Sequence, residues 1–106
     1  MVNGIARQLD FVFAALSDPT RRDILSRLRG GHLRVTEIAT PLPISLAAAS
    51  KHVKMLERAG LVTRDIRGRD HYIALNAGPL TEASDWIADH RAFWEAHLNA
   101  LSAYLG

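Results

Sequence analysis

The segment from Ser45 to Val62, SLAAASKHVKMLERAGLV, constrains the fold more than any other stretch of this 106-residue chain. Ser45 suits a helix N-cap, because its hydroxyl oxygen can accept a hydrogen bond from an orphan backbone N–H. Ala49, Val53 and Leu56 then recur at helical spacing and form a narrow apolar stripe. Lys51, Lys54 and Arg58 lie on the other side, with the small residues Ala47 and Ser50 among them. Gly60 closes the helix in the position where a left-handed residue is wanted, and a strand follows. A helix that is apolar behind and small and basic in front is suited to rest on a core while facing an anion, and the large anion it fits best is DNA.

Charge along the chain supports that reading. The formal net charge is only +2, but residues 21–69 carry eleven Lys and Arg against four acids, and residues 70–106 carry one Arg against five acids. A basic middle and an acidic end imply that one surface meets a polyanion and another does not. With 48% hydrophobic residues the chain can build a core, and 106 residues suit a single domain spanning 1–106. Cysteine is absent, which removes disulfides, thiol redox chemistry and thiolate metal sites. The first residues lack the basic start and apolar run of a signal peptide, and no apolar run approaches the ~20 residues of a membrane span. A soluble, cytoplasmic protein with no membrane association is expected.

The remaining elements can be placed around that helix. A first helix is expected over Ile5–Leu16, with Leu9, Val12, Phe13 and Leu16 apolar. Asp18-Pro19-Thr20 breaks it and restarts a second helix, with Asp18 able to cap and Pro19 suited to the first helical position. The second helix runs through Arg21, Ile24, Leu25 and Leu28 to Gly30-Gly31. A short third helix, capped by Thr36 and turning Ile38 and Ala39 inward, is confined by Pro41 and Pro43. After the Ser45–Ala59 helix, Leu61–Ile66 and His71–Leu75 alternate and are joined by Arg67-Gly68-Arg69-Asp70, a hairpin pattern. Asn76-Ala77-Gly78-Pro79 separates it from a long last helix over Leu80–Leu105. The fold class is therefore mainly α with a small β-hairpin: four helices, two strands, one long helix. A short helix, a turn and a helix with a basic front form a helix-turn-helix, and the basic hairpin after it has the place of a wing.

A recognition helix of this kind puts its N-terminal residues against base edges in the major groove. Ala47, Ser50 and Lys51 are expected at bases, and Ser45 and Lys54 at phosphates. Thr36 and His52 complete the expected face. On the hairpin, Arg64, Arg67, Arg69 and His71 suit the minor groove or phosphates. The alternative is a solvated amphipathic helix and a charged turn, as in a winged helix that binds a protein partner.

The last helix holds both tryptophans and four of the seven aromatics. Trp86, Phe93, Leu101 and Tyr104 follow one side, and Ile87, Trp94, Leu98 and Leu105 widen the stripe. That is more apolar surface than a small winged core can cover, so a partner subunit is expected, and a two-fold homodimer is the commonest solution. Residues 5–16 and 80–105 are the expected dimerisation elements, with Phe11, Val12 and Phe13 on the first. His90 and His97 share a face and are the only histidines placed to invite a metal, but packing and hydrogen bonding is the stronger reading. No cofactor is expected. No nucleophile elbow, phosphate loop or metalloprotease motif is present, so an enzyme is not expected.

Four stretches together carry a resemblance: ALSDPTRRDILSRL (Ala15–Leu28), VTEIA (Val35–Ala39), the Ser45–Val62 segment and GRDHYIAL (Gly68–Leu75). In this order they resemble the ArsR family of winged helix-turn-helix repressors, and Asp85–Leu105 resembles the last helix of one subgroup. The likeness covers about Phe11 to Leu105. It implies a homodimer held by the first and last helices, a recognition helix at Ser45–Ala59, a wing at Arg64–His71 and a near-palindromic operator in double-stranded DNA. Ser50 and Lys51 match the family's usual base-contacting positions, and Arg67 and Arg69 its wing tip. The chain departs from the founding members at Val35–Ala39, where their metal-binding cysteines begin. It departs again at Asp89-His90, adjacent here where the family's second metal site has one residue between Asp and His. The resemblance therefore leaves any effector unknown. A metal- or small-molecule-responsive sensor with a site formed by the dimer is the alternative within the same fold.

Overall fold

The computed structural model describes the backbone of residues 2–105 and the side chains of residues 7–105. Residues 1 and 106 of the expected domain, and the side chains at positions 5 and 6 of the expected first dimerisation element, lie outside it. The elements run α1 (Val2–Leu16), α2 (Pro19–Leu28), β1 (Leu33–Arg34), α3 (Val35–Ala39), α4 (Leu46–Arg58), β2 (Val62–Arg67), β3 (Asp70–Leu75) and α5 (Gly78–Leu105).

Local signals account for most of these boundaries. The Asp18 carboxylate accepts the Arg21 N–H at 3.0 Å, and Pro19 occupies the first turn, where a missing N–H leaves no helical bond unmade. At the far end of α4, the Leu61 N–H reaches the Leu56 carbonyl at 3.0 Å and the Gly60 N–H reaches the Glu57 carbonyl at 2.9 Å. These two bonds, around a Gly60 with φ of +75°, form a Schellman motif. A Cβ at Gly60 would lie 3.0 Å from Gln8 Nε2 and 3.3 Å from Pro79 Cγ, so neither the backbone angle nor the space suits a side chain. The hairpin turns on two residues, Gly68 and Arg69, between the paired Arg67 and Asp70. Gly68 takes φ of +63° at the first turn position, which a type II′ hairpin requires.

The structure corrects three readings here. The expected two-stranded hairpin is a three-stranded antiparallel sheet in the order β1-β3-β2, with Leu33 opposite Ile73 and Arg34 opposite Tyr72. A two-residue strand has no periodicity to read, and it exists only because the outer edge of β3 is there to pair with it. The cap of α3 is not Thr36. The helix begins at Val35, and Glu37 reaches back to accept the Arg34 N–H at 2.9 Å and the Arg34 Nε–H at 3.1 Å. Thr36 lies inside the helix, where its carbonyl receives the Thr40 hydroxyl at 2.7 Å. The last helix starts at Gly78, two residues before expected, because Pro79 falls in the first turn where proline is tolerated.

Ile24, Ile38, Val53, Leu56, Leu61 and Ile73 are fully buried and join α2, α3, α4 and the sheet into one core. Each such side chain contributes about 1.5–3 kcal/mol by leaving water. Val12 corrects a further expectation: it was assigned to the dimer interface, but it is 0% exposed in that same core. Its neighbours Phe11 and Phe13 are only partly buried. Periodicity alone could not decide which flank of α1 faces α2 and α4.

Helix α5 leaves the core almost at once. Only Ala83 is buried, and every residue from Ser84 to Leu105 is exposed. The radius of gyration is 17.9 Å and the long axis 64 Å, against a radius of about 13 Å for a compact chain of this length.

Candidate nucleic-acid interface

The helix-turn-helix is assembled from α3, a turn and α4. Five residues make a marginal helix, and α3 is held from outside: Arg27 donates from Nη1 to the Ile38 carbonyl at 2.8 Å and from Nη2 to the Glu37 carbonyl at 2.9 Å. These are carbonyls that a helix end leaves unpaired. Across the turn, Ser45 caps α4 as its sequence position predicts, accepting the Ala48 N–H at 3.0 Å. Its own hydroxyl proton remains available to a phosphate. Ala49, Val53 and Leu56 face the core with no exposed surface, and Lys51 and Lys54 stand on the opposite side.

The residues expected to grip DNA fall into two groups. Ser45, Ala47, Ser50, Lys51, Lys54, Thr36, Arg67 and Arg69 lie on the surface of α3, α4 and the wing, Ser50 partly buried and the rest exposed. Thr36, Ser50, Arg64, Arg69 and His71 line one crevice of about 260 Å³ between the start of α4 and the wing. Among the described residues Lys51, Lys54 and Arg69 form no ion pair. Arg67 bonds Asp65 at 2.8 Å and lies over the Tyr72 ring at 5.2 Å, which stiffens the wing yet leaves the guanidinium exposed.

The second group, His52, Arg64 and His71, is turned inward. Arg64 donates to both carboxylate oxygens of Glu57, at 2.6 and 3.2 Å, and to His71 Nδ1 at 2.8 Å. Glu57 is on α4, Arg64 on β2 and His71 on β3, so this cluster braces the wing against the recognition helix. The nearby carboxylate raises the Arg64 pKa further above its usual value. His52 faces α2, where its Nδ1 lies 3.2 Å from Arg21 Nη1 and 4.0 Å from the Asp18 carboxylate. Arg21 is itself buried, with Nε and Nη2 donating at 2.9 Å to the Ala15 and Ala14 carbonyls. An arginine only donates, so Nδ1 of His52 and of His71 is the acceptor in these contacts. Nδ1 of both histidines and one N–H on each nitrogen of Arg64 are thus engaged within the protein. Their charge is visible in the sequence, but their partners are not.

Two residues at the crevice were not anticipated. Arg34 lines it while holding Glu37 at 3.1 Å. Leu46, at the first position of α4, is 52% exposed beside Ser50. Periodicity gives no warning of it: Leu46 precedes Ala49 by three residues and Val53 by seven, so it shares their face of the helix, but at the first position of α4 it lies beyond the core that covers them.

On α5, Trp86, Phe93, Trp94, Leu101 and Tyr104 are exposed, Tyr104 at 88%. His90 stacks on Trp86 with centroids 3.8 Å apart and donates from Nδ1 to the Trp86 carbonyl at 2.8 Å. His97 stacks on Phe93. Both histidines thus belong to the aromatic stripe. Among the described residues no three His, Cys, Asp or Glu side chains lie close enough to hold a metal ion. No described helix is long and apolar enough to cross a membrane.

A short helix, a turn, a helix capped at its exposed end and a braced hairpin define a winged helix-turn-helix, a class that binds DNA. The comparisons agree. A helix-turn-helix domain model matches residues 16–65. The transcriptional repressor SdpR of Bacillus subtilis is 37% identical over 76 residues, covering 72% of this chain and 84% of that protein. An ArsR-like transcriptional regulator from a Rhodococcus species superposes with a TM-score of 0.80 at 34% identity, covering 92% of each chain. The homodimeric winged helix-turn-helix DNA-binding domain of a possible ArsR-family regulator from Mycobacterium bovis superposes with a TM-score of 0.65 at 28% identity, covering 91% of this chain and 86% of that one. The chain belongs to the ArsR family and is a DNA-binding transcriptional regulator.

Proposed function

We propose that this chain is one domain of a homodimeric repressor, acting in the cytoplasm as a binder and not as a catalyst. Two copies pair through α1 and α5 and present two α4 helices to a near-palindromic operator. The observation that carries this is the uncovered apolar length of α5, eight of whose large apolar side chains are exposed. The name of the Bacillus relative supports repression, and the Mycobacterium neighbour supports the dimer. In this arrangement each α4 enters a major groove, with half-sites about one helical turn apart. Ala47, Ser50 and Lys51 read bases, joined by Leu46. Ser45, Thr36 and Lys54 hold phosphates, and Arg67 and Arg69 carry the wing to the backbone beyond. His52, Arg64 and His71 orient these groups.

Selecting bound DNA from a random pool, followed by sedimentation of the protein alone and on the selected site, tests the reading. A palindromic consensus bound by two protomers is expected. Binding without sequence preference at physiological salt would instead favour a winged helix that docks on protein.

A further inference from the structure

We infer that a second cavity, on the side of the molecule away from the recognition face, binds a small free amphiphilic carboxylate. Its floor is apolar: Leu16 at the end of α1, Leu25 of α2, Leu75 at the end of β3 and Leu80 at the start of α5. Its rim is basic: Arg22 and Arg29 flank Ser26 at spacings of four and three residues, one face of a helix.

The arginines are what give the cavity a ligand class. Arg22 Nη1 donates to the Leu16 carbonyl at 2.6 Å, which ties the guanidinium to the rim and, among the described residues, leaves its other N–H groups unused. No acidic side chain lines the cavity. Among the described residues neither Arg22 nor Arg29 forms an ion pair, whereas Arg34, Arg64, Arg67 and Arg91 all do. The other two arginines of this helix are spent on backbone carbonyls, Arg21 on α1 and Arg27 on α3. DNA does not account for the pair either. Leu75 ends the strand that begins at the wing turn with Asp70, about 17 Å away at the rise of an antiparallel strand, and no residue of the recognition face lines the cavity.

A planar carboxylate matches a guanidinium with two parallel hydrogen bonds, and the leucines accept an apolar body. The cavity is about 260 Å³, room for roughly nine water-sized groups. That suits a medium-chain aliphatic or single-ring aromatic monocarboxylate and excludes a nucleotide or a phospholipid. The end of α1 and the start of α5 both line it. Resting on the dimer proposed above, a ligand there shifts the two dimerisation helices relative to α2 and so alters the spacing of the two recognition helices.

The test uses the full chain and sodium octanoate, followed by 1H–15N NMR. Saturable shifts at Leu16, Leu25, Leu75 and Leu80 are expected. Octan-1-ol and the double variant R22Q/R29Q should each bind about tenfold more weakly or worse, and L80W, which fills the floor, should not bind. Shifts elsewhere, equal binding of octanol, or undiminished binding by the double variant would overturn the site. Operator affinity is then measured with and without octanoate. A change of about threefold or more that R22Q/R29Q lacks supports the coupling, and saturable binding with no change overturns it. If the wild type recognises no operator, the repressor reading fails while the NMR result on the cavity stands.

Discussion

Arg64 and Glu57 meet through two hydrogen bonds, 2.6 and 3.2 Å long, between the wing and the last turn of the recognition helix. The pair is only partly exposed, and His71 occupies a further donor of Arg64. Wing and helix are thus one rigid unit. The expected coupling energy is about 1 kcal/mol, at the upper end for pairs not fully buried. A double-mutant cycle of E57Q and R64Q by urea denaturation measures it, and additive effects would show that the brace contributes nothing to stability.

Lys51 and Lys54 should separate in their effects on DNA. K51A is expected to cost about 1–3 kcal/mol and to relax preference at one operator position. K54A should weaken binding evenly across sequences and reduce the salt slope by about one. Titrations of the selected operator and single-base variants at several salt concentrations distinguish the two.

The two tight glycines should also differ. G60A meets both a left-handed backbone and the crowding of Gln8 and Pro79, whereas the Cβ of G68A meets open space. The backbone strain is about 1–2 kcal/mol in each. G60A should therefore lose more stability than G68A, read as the shift in denaturation midpoint.

The exposed aromatic face of α5 predicts an assembly phenotype. W94E or L98E removes no core contact, since both positions are more than half exposed. Either variant should sediment as a folded monomer and lose most operator affinity. A dimer of unchanged strength would place the interface elsewhere.

Acid should loosen the α1–α2 corner. The backbone N–H of Arg21 holds the Asp18 carboxyl below its usual pKa, with the Arg21 charge adding to the effect. The Arg34 N–H and guanidinium do the same for Glu37. A depressed folded-state value means that the unfolded chain takes up the proton more readily. This stability is therefore present above the ordinary carboxylate range and is lost as pH falls through the lower folded-state values. Denaturation midpoints should fall below about pH 4, and D18N should flatten part of that slope.

Much of this protein is legible in its sequence. The caps at Asp18 and Ser45, the stop at Gly60, the turn at Gly68 and the buried stripe of α4 all depend on residues within a few positions of one another, and local hydrogen bonding and periodicity decide such features. What sequence could not reach was the use made of each charge. Arg21 and His52 are 31 positions apart, and Gln8 bonds the carbonyl of Ala59 across 51. Packing therefore decided that His52 meets Arg21 and that Arg64 meets Glu57 and His71, and that Val12 fills the core while Phe11 and Phe13 stay at its margin. It likewise made Leu33 and Arg34 a strand. A side chain's type sets which partners it can take, but only the folded arrangement of distant segments sets which of them comes within hydrogen-bonding range.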